Sequence, residues 1–163
     1  MNEILLVNEK DEVTGTSNKL EVHQKGLLHR AFSVFIYRKQ NQDQHQYIEI
    51  LLQQRHPNKY HSGNLWTNTC CSHQLPNEKN IRESAVRRLK EEMGISTELT
   101  PIGVFHYRAL VSNNLIENEI DHVFMGELSD SSQIKINTQE VIDYKWLEIN
   151  LLKNSLKEVK ESK

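Results

Sequence analysis

Only two cysteines occur in the 163 residues, and they are neighbours, Cys70 and Cys71. Adjacent cysteines rarely bridge each other because the geometry is strained. With no third cysteine as partner, they are expected to be thiols, either buried filler or part of the chemistry. The sequence also has no run of about 18 apolar residues, so no transmembrane helix is expected. Met1 to Val7 carry neither a positively charged start nor a small-residue cleavage site, which argues against a secretory signal and leaves the cytoplasm as the default. No excess of basic charge is present. At a net charge of −2, global electrostatics gives no support to a nucleic-acid partner, and an anionic ligand must be met by a local cluster of cations or a metal ion. Internal repeats and low-complexity linkers are missing too, and the length suits one domain, residues 1–163.

What is present is a pattern of apolar runs. Ala31 to Tyr37 and Tyr47 to Leu52 are rich in Val, Ile, Phe and Tyr and are expected to be strands. The polar stretch Arg38 to Gln46 between them reads as a hairpin loop. Further strands are expected near Ile102 to Ala109, Glu119 to Leu128 and Val141 to Leu147. Asn80 with Glu83 forms a capping pair, Ile81, Ala85, Leu89 and Met93 recur as an apolar stripe, and Gly94 is a natural stop. That spacing predicts a helix. A second, amphipathic helix is expected over 151–163. The fold class is therefore α+β: a mixed β-sheet with helices packed on its faces, with a core over about 27–150 and an N-terminal segment that contributes to the site.

Three groups of residues carry chemical potential. In Trp66-Thr67-Asn68-Thr69-Cys70-Cys71-Ser72-His73, a thiol stands two residues from an imidazole. It could be a nucleophile with its base, a metal pair, or an accident of packing. Glu117 and Glu119, two apart in an expected strand, share a face, where like charges repel unless a cation or a shared proton lies between them; a solvated turn after Asn113-Asn114 is the alternative. Of the eight histidines, His45, His56 and His61 fall in polar stretches and are expected at the surface, whereas His29 precedes a strand and is expected to be partly buried. His23, His29, His73, Glu117 and Glu119 together make a nitrogen and oxygen set suited to Mn²⁺, Fe²⁺, Zn²⁺ or Mg²⁺.

The run Arg87 to Ile95 resembles the end of the Nudix box, in which a helix presents carboxylates to Mg²⁺ and a diphosphate. Three departures separate it from the hydrolase pattern: Arg88 replaces the second Glu, Ser72 replaces the opening Gly, and the spacing from Glu78 to Arg87 is one residue longer. With Gly26 to Phe35, Leu51 to Arg55, Thr67 to His73 and Glu117 to Glu119, it resembles the type 1 isopentenyl-diphosphate isomerases, which share the Nudix fold. The matching segments follow the family's order along nearly the whole chain.

The resemblance implies Cys71 as the catalytic thiol, Glu119 as the catalytic carboxylate and Tyr107 as an active-site tyrosine. It implies a metal centre of His23, His29, His73, Glu117 and Glu119, holding Mn²⁺ or Mg²⁺ with Zn²⁺ as a third option, and a second Mg²⁺ at Glu92. Lys19, Arg55, Lys59 and Arg88 would contact the diphosphate of a small substrate, in a monomer or weak dimer. Relatives carry Pro where Gln74 stands and have a C-terminal aromatic segment, with a Trp over the pocket, that this sequence lacks. Cys70 is expected to pack in the core. The implied reaction moves a double bond through a tertiary carbocation, with the Glu119 side protonating the terminal methylene and Cys71 removing a proton two carbons away. Two rivals compete. One is a Nudix hydrolase, which would leave Cys71 idle. The other is a metal-stabilised binding module using Cys70, Cys71 and His73, whose adjacent cysteines lack the usual zinc-ligand spacing.

Overall fold

Alternating side chains make residues 29–42 the central strand. Phe32, Val34 and Ile36 are buried in the hydrophobic core, while His29, Ala31 and Ser33 occupy the opposite face. The computed structural model describes residues 3–42, 45–129 and 133–161. In chain order its elements are β1 (Glu3–Val7), β2 (Val13–Asn18), α1 (Lys19–Lys25), β3 (His29–Gln42), β4 (His45–Arg55), β5 (Trp66–Thr67), β6 (Cys70–His73), α2 (Ile81–Met93), β7 (Thr100–Leu110), β8 (Ile116–Glu127), β9 (Val141–Glu148) and α3 (Ile149–Glu161).

Among the described residues one mixed, nine-stranded sheet results, and β3 organises it. Strand β8 runs parallel to β3 from His29↔Glu119 to Tyr37↔Glu127. Antiparallel β6 pairs with β3 from Ala31↔His73 to Val34↔Cys70, and β4 takes over from Tyr37↔Ile50. Outside them, β7 pairs with β8 and β9 with β4. Helix α2 covers the core face through Ala85, Leu89 and Met93, which pack with Cys70, Leu51 and Phe124. Its N-cap is the expected one: Asn80 Oδ1 accepts from the Glu83 backbone N–H at 3.0 Å. At its end Gly94 adopts φ 72°, and a Cβ there would stand 2.8 Å from the Lys135 carbonyl oxygen. Only glycine suits that turn.

The expected strands and both helices are present, but three features differ. The polar stretch 38–46 is mostly strand: β3 continues to Gln42 and β4 begins at His45, with Gln42↔His45 in register. Asp43 and Gln44, within the expected loop, lie outside the described residues. Cross-strand contacts sustain the extension. Arg38 Nε donates to Glu49 at 2.6 Å and its guanidinium lies 4.3 Å from the Trp146 ring centre. The C-terminal helix starts two residues earlier than expected, and Ser162 and Lys163 lie outside the described residues. The N-terminal segment, for which no elements were anticipated, forms the β1–β2 hairpin and α1. Asp11 anchors that hairpin, accepting from Arg30 Nε and contacting His122 Nε2, each at 2.8 Å.

Candidate active site

The strand registers gather the chemistry-bearing residues on one face. On β6, Cys71 and His73 are two apart and share the face opposite Cys70, which is fully buried in the core. His73 pairs with Ala31, two residues from His29, and His29 pairs with Glu119. Across β8, Tyr107 stands opposite Glu119. Helix α1 lowers His23 onto the group. Asn18 caps its start by accepting from the Leu20 N–H at 3.0 Å, and Gly26 at φ 63° closes its end.

His23, His29, His73 and Glu119 are all buried, and one ligand atom from each lies within 4.8 Å of the others. The tautomers follow from the backbone. His23 Nδ1 donates to the Lys19 carbonyl at 2.7 Å and His29 Nδ1 to the Leu27 carbonyl at 2.8 Å. With Nδ1 so engaged, each ring turns its Nε2 into the cluster. His29 Nε2 and His73 Nε2 stand 3.2 Å and 3.3 Å from Glu119 Oε1. His73 Nδ1 is buried with no hydrogen-bond partner among the described residues. Burial lowers His73 to about 3 and His23 to about 4. Backbone-oriented imidazoles with a carboxylate make a donor set that fits a divalent metal ion.

Of the six expected metal residues, the structure brings these four together and leaves two apart. Glu117 turns to Tyr107, whose hydroxyl donates to Glu117 Oε2 at 3.1 Å and to Glu119 Oε2 at 2.7 Å. Burial, followed by the Glu119 charge, raises the Glu117 carboxyl. Burial favours protonation of Glu119 as well, but its imidazole neighbours hold it well below the carboxylate range. Glu92 lies on α2, with Oε2 accepting from Gln53 at 3.0 Å and Oε1 paired with Arg88.

These residues surround a cavity of about 270 Å³. Cys71, Tyr107, Glu117 and Glu119 line it together with Phe32, Leu65 and Trp66. Burial raises the Cys71 thiol to about 12, opposed by Arg55, whose Nη1 lies 3.9 Å from the sulfur. Lys19, Arg55, Lys59 and Arg88 line the same cavity. Their mutual proximity shows at Lys19, lowered to about 8 by burial and then by repulsion from Lys59, Arg88 and Arg55. All four expected diphosphate contacts and all three expected catalytic residues thus border one space.

One expectation is corrected. His61 is buried rather than at the surface. The 55–66 loop folds inward because Arg55 donates to the carbonyls of Ser62 and His61, both at 3.2 Å. His61 stacks on His23 with ring centres 5.7 Å apart, and its Nε2 lies 3.6 Å from Glu117 Oε1. Tyr60 was missed altogether. Its hydroxyl is 3.3 Å from His23 Nε2 and its ring lies under Lys19. The available signal was position: both residues fall between Arg55 and the Thr67–His73 string.

Three imidazoles with lowered pKa values set an acid limit on the metal-free fold. Burial lowers His23 and His61 to about 4 and His73 to about 3, so between pH 6.5 and about 4 the unfolded chain binds protons that the native state refuses. Stability contributed by these groups is complete above pH 6.5 and falls as pH drops through that window. Asp121, raised by burial to about 7, and Glu117, also raised, act with the opposite sign. Three imidazoles outnumber two carboxyls, so the urea midpoint of chelator-treated protein is expected to fall steadily from pH 7 to pH 4.5. A flat or rising midpoint would contradict the buried, neutral state of the three rings.

Among the described residues, no helix is long and apolar enough to cross a membrane. Residues 27–163 match the model of the NUDIX domain. Isopentenyl-diphosphate Delta-isomerase 2 of Photorhabdus laumondii is 47% identical over 154 residues, which cover 94% of this chain and 80% of that protein. Isopentenyl-diphosphate Delta-isomerase of Pectobacterium atrosepticum is 45% identical over 150 residues, 92% of this chain and 78% of that one. Among solved structures, a Deinococcus radiodurans protein superposes with TM-score 0.67 at 16% identity, covering 89% of this chain and 82% of its own. The last likeness concerns the fold alone.

Proposed function

The chain belongs to the NUDIX domain family and, within it, to the isopentenyl-diphosphate Delta-isomerases, and from this premise we propose that it converts isopentenyl diphosphate to dimethylallyl diphosphate. One observation carries the proposal: a thiol, a tyrosine-bridged pair of carboxylates and four cationic side chains border a single small cavity. A hydrolase would have no use for the thiol.

The cavity has a charged part and an apolar part. Lys19, Arg55, Lys59 and Arg88 hold the diphosphate. Leu65 and Trp66 border the five-carbon tail and reduce its access to water, which would trap a carbocation. Remote binding of the charged group positions a hydrocarbon that offers no polar handle of its own.

Proton delivery is assigned to the wall of Glu119, Tyr107 and Glu117. The Tyr107 hydroxyl bridges both carboxylates, and burial with the neighbouring Glu119 charge raises Glu117, which favours a proton on this wall. The π electrons of the terminal methylene take that proton and leave a tertiary carbocation. Cys71 then accepts a proton from the carbon next to the diphosphate-bearing carbon, and the released C–H pair becomes the new double bond. Accepting it requires the thiolate, and Arg55 is the nearby charge that favours that form. His23, His29, His73 and Glu119 would hold Mn²⁺, Mg²⁺ or Zn²⁺, with Glu117 beside them, and Glu92 would hold Mg²⁺ for the diphosphate. Bound there, the ions supply charge that fixes Glu119 and neutralises the phosphates. With water-soluble diphosphates as substrate and product, we place the reaction in the cytoplasm.

Proton NMR of isopentenyl diphosphate with the protein, Mg²⁺ and Mn²⁺ tests this directly. Two methyl signals of dimethylallyl diphosphate are expected, and deuterium should enter a methyl group in D₂O. No conversion with either metal would overturn the proposal. Phosphate release without isomerisation would favour a hydrolase instead.

A further inference from the structure

The cations assigned to the diphosphate are not free in the structure. A second cavity of about 490 Å³ adjoins the first, and Lys19, Lys59, Tyr60, Ser72, His73 and Arg88 line both. Glu140 lines only the second. It precedes β9, and its backbone is fixed: the carbonyl accepts from the His56 N–H and the N–H donates to the Asn137 carbonyl, at 3.0 Å and 2.9 Å. From there its carboxylate makes a close ion pair with Lys59, and Arg88 Nη2 lies 3.6 Å from the same Oε2. Arg88 still has a donor to spare, since its Nε is buried with no hydrogen-bond partner among the described residues.

We propose that Glu140 is an internal stand-in for a phosphate oxygen, which pairs with Lys59, adds its charge to the Glu91 and Glu92 carboxylates already on Arg88, and competes with the diphosphate for both cations. This rests on the assignment of those two residues to the diphosphate. Like-charged side chains crowded at one end of a cavity repel, and a carboxylate set between two of them relieves that repulsion. An incoming diphosphate takes over the two cations and displaces Glu140 from them. Glu140 therefore weakens substrate and product alike, and it aids release. It is a positioning residue, with no contact to the reacting carbons.

Glu140→Gln keeps the shape and removes the charge. Calorimetry with inorganic pyrophosphate and Mg²⁺ is expected to show binding about tenfold tighter than in the parent. KM for isopentenyl diphosphate is expected to fall by a similar factor, with kcat falling as release slows. A residue that merely scaffolds the loop would give the opposite, because its loss weakens binding. Glu140→Asp, which keeps the charge, should bind as the parent does and shows whether the position tolerates change. Unchanged or weaker pyrophosphate binding in Glu140→Gln overturns the proposal. Lys59→Met is the control. If it binds pyrophosphate as tightly as the parent, the assignment of the diphosphate end fails, and the inference about Glu140 fails with it for that separate reason.

Discussion

Cys71→Ala and Glu119→Gln are each expected to lower kcat for isopentenyl diphosphate by about 10³-fold or more, since a placed acid or base contributes on the order of 10²–10⁴. The reaction needs one proton given and one taken, and neither wall of the cavity can do both tasks on a rigidly held substrate. Losing either stops the whole sequence. The double variant is therefore expected to be little worse than the worse single one, because residues acting as a unit are not additive. Loss of the fold is separable from loss of chemistry. The cations assigned to the diphosphate remain in both variants, so pyrophosphate binding should survive in Cys71→Ala within a few fold. Cys71→Ala also removes only a sulfur bordering a cavity, whereas Cys70, the neighbour packed in the core, is the thiol whose loss should cost stability. Retention of near-parental turnover by both Cys71→Ala and Glu119→Gln would remove the proton relay from consideration.

What could be read in the sequence, and what could not, follows from the range of the forces involved. Helix α2 is legible because its cap, its apolar stripe and its terminal glycine are all local. The strands at 31–37 and 119–128 are legible because branched and aromatic side chains pack on a sheet that is buried there. Strand β2, with the sequence Val-Thr-Gly-Thr-Ser-Asn, is polar and mostly exposed, and exists because β1 pairs with it from Glu3↔Asn18 onward. Helix α1 has seven residues, too few for a period to show. The far ends of β3 and β4 are polar because they pair with each other beyond the core. In each of these cases the decisive partner is another segment of chain.

The site divides in the same way. Thr67 to His73 and Glu117 to Glu119 carry enough local identity to be recognised from a resemblance, and strand periodicity places Glu117 and Glu119 on one face. No local pattern brings α1 over β8, so the burial of His23 could be expected only from the resemblance. His61 was misjudged for a clear reason. A polar loop is normally at the surface, but this one is drawn inward by the half-buried head of Arg55, which donates to two of its carbonyls. Ser62 and Asn64 adopt φ 52° and 65° to make the turn. Residues rarely take that conformation without compensation, and here the compensation is the Arg55 contacts and the enclosure of His61 and Tyr60.

His29→Ala is expected to abolish stabilisation by divalent metal, which makes it the sharpest test of the centre that does not depend on turnover. In the parent, a metal ion bound to the native state alone adds RT ln(1 + [M]/Kd), about 2.7 kcal/mol at a hundredfold excess over Kd. The gain has a specific origin here. His29 Nδ1 is committed to the Leu27 carbonyl, and the Nε2 atoms of His29 and His73 converge on Glu119 Oε1 at 3.2 Å and 3.3 Å. A cation bound there meets nitrogen and carboxylate donors that are already in place. Chelator-treated parent protein should therefore melt lower and recover with Mn²⁺, Mg²⁺ or Zn²⁺, and metal analysis should give an ion that His29→Ala does not retain. The variant should show no such recovery. If His29→Ala retains the ion with parental affinity, or if the parent's melting point is unmoved by chelation and metal addition, then these buried imidazoles are a structural cluster and the proposed anchoring of Glu119 is wrong.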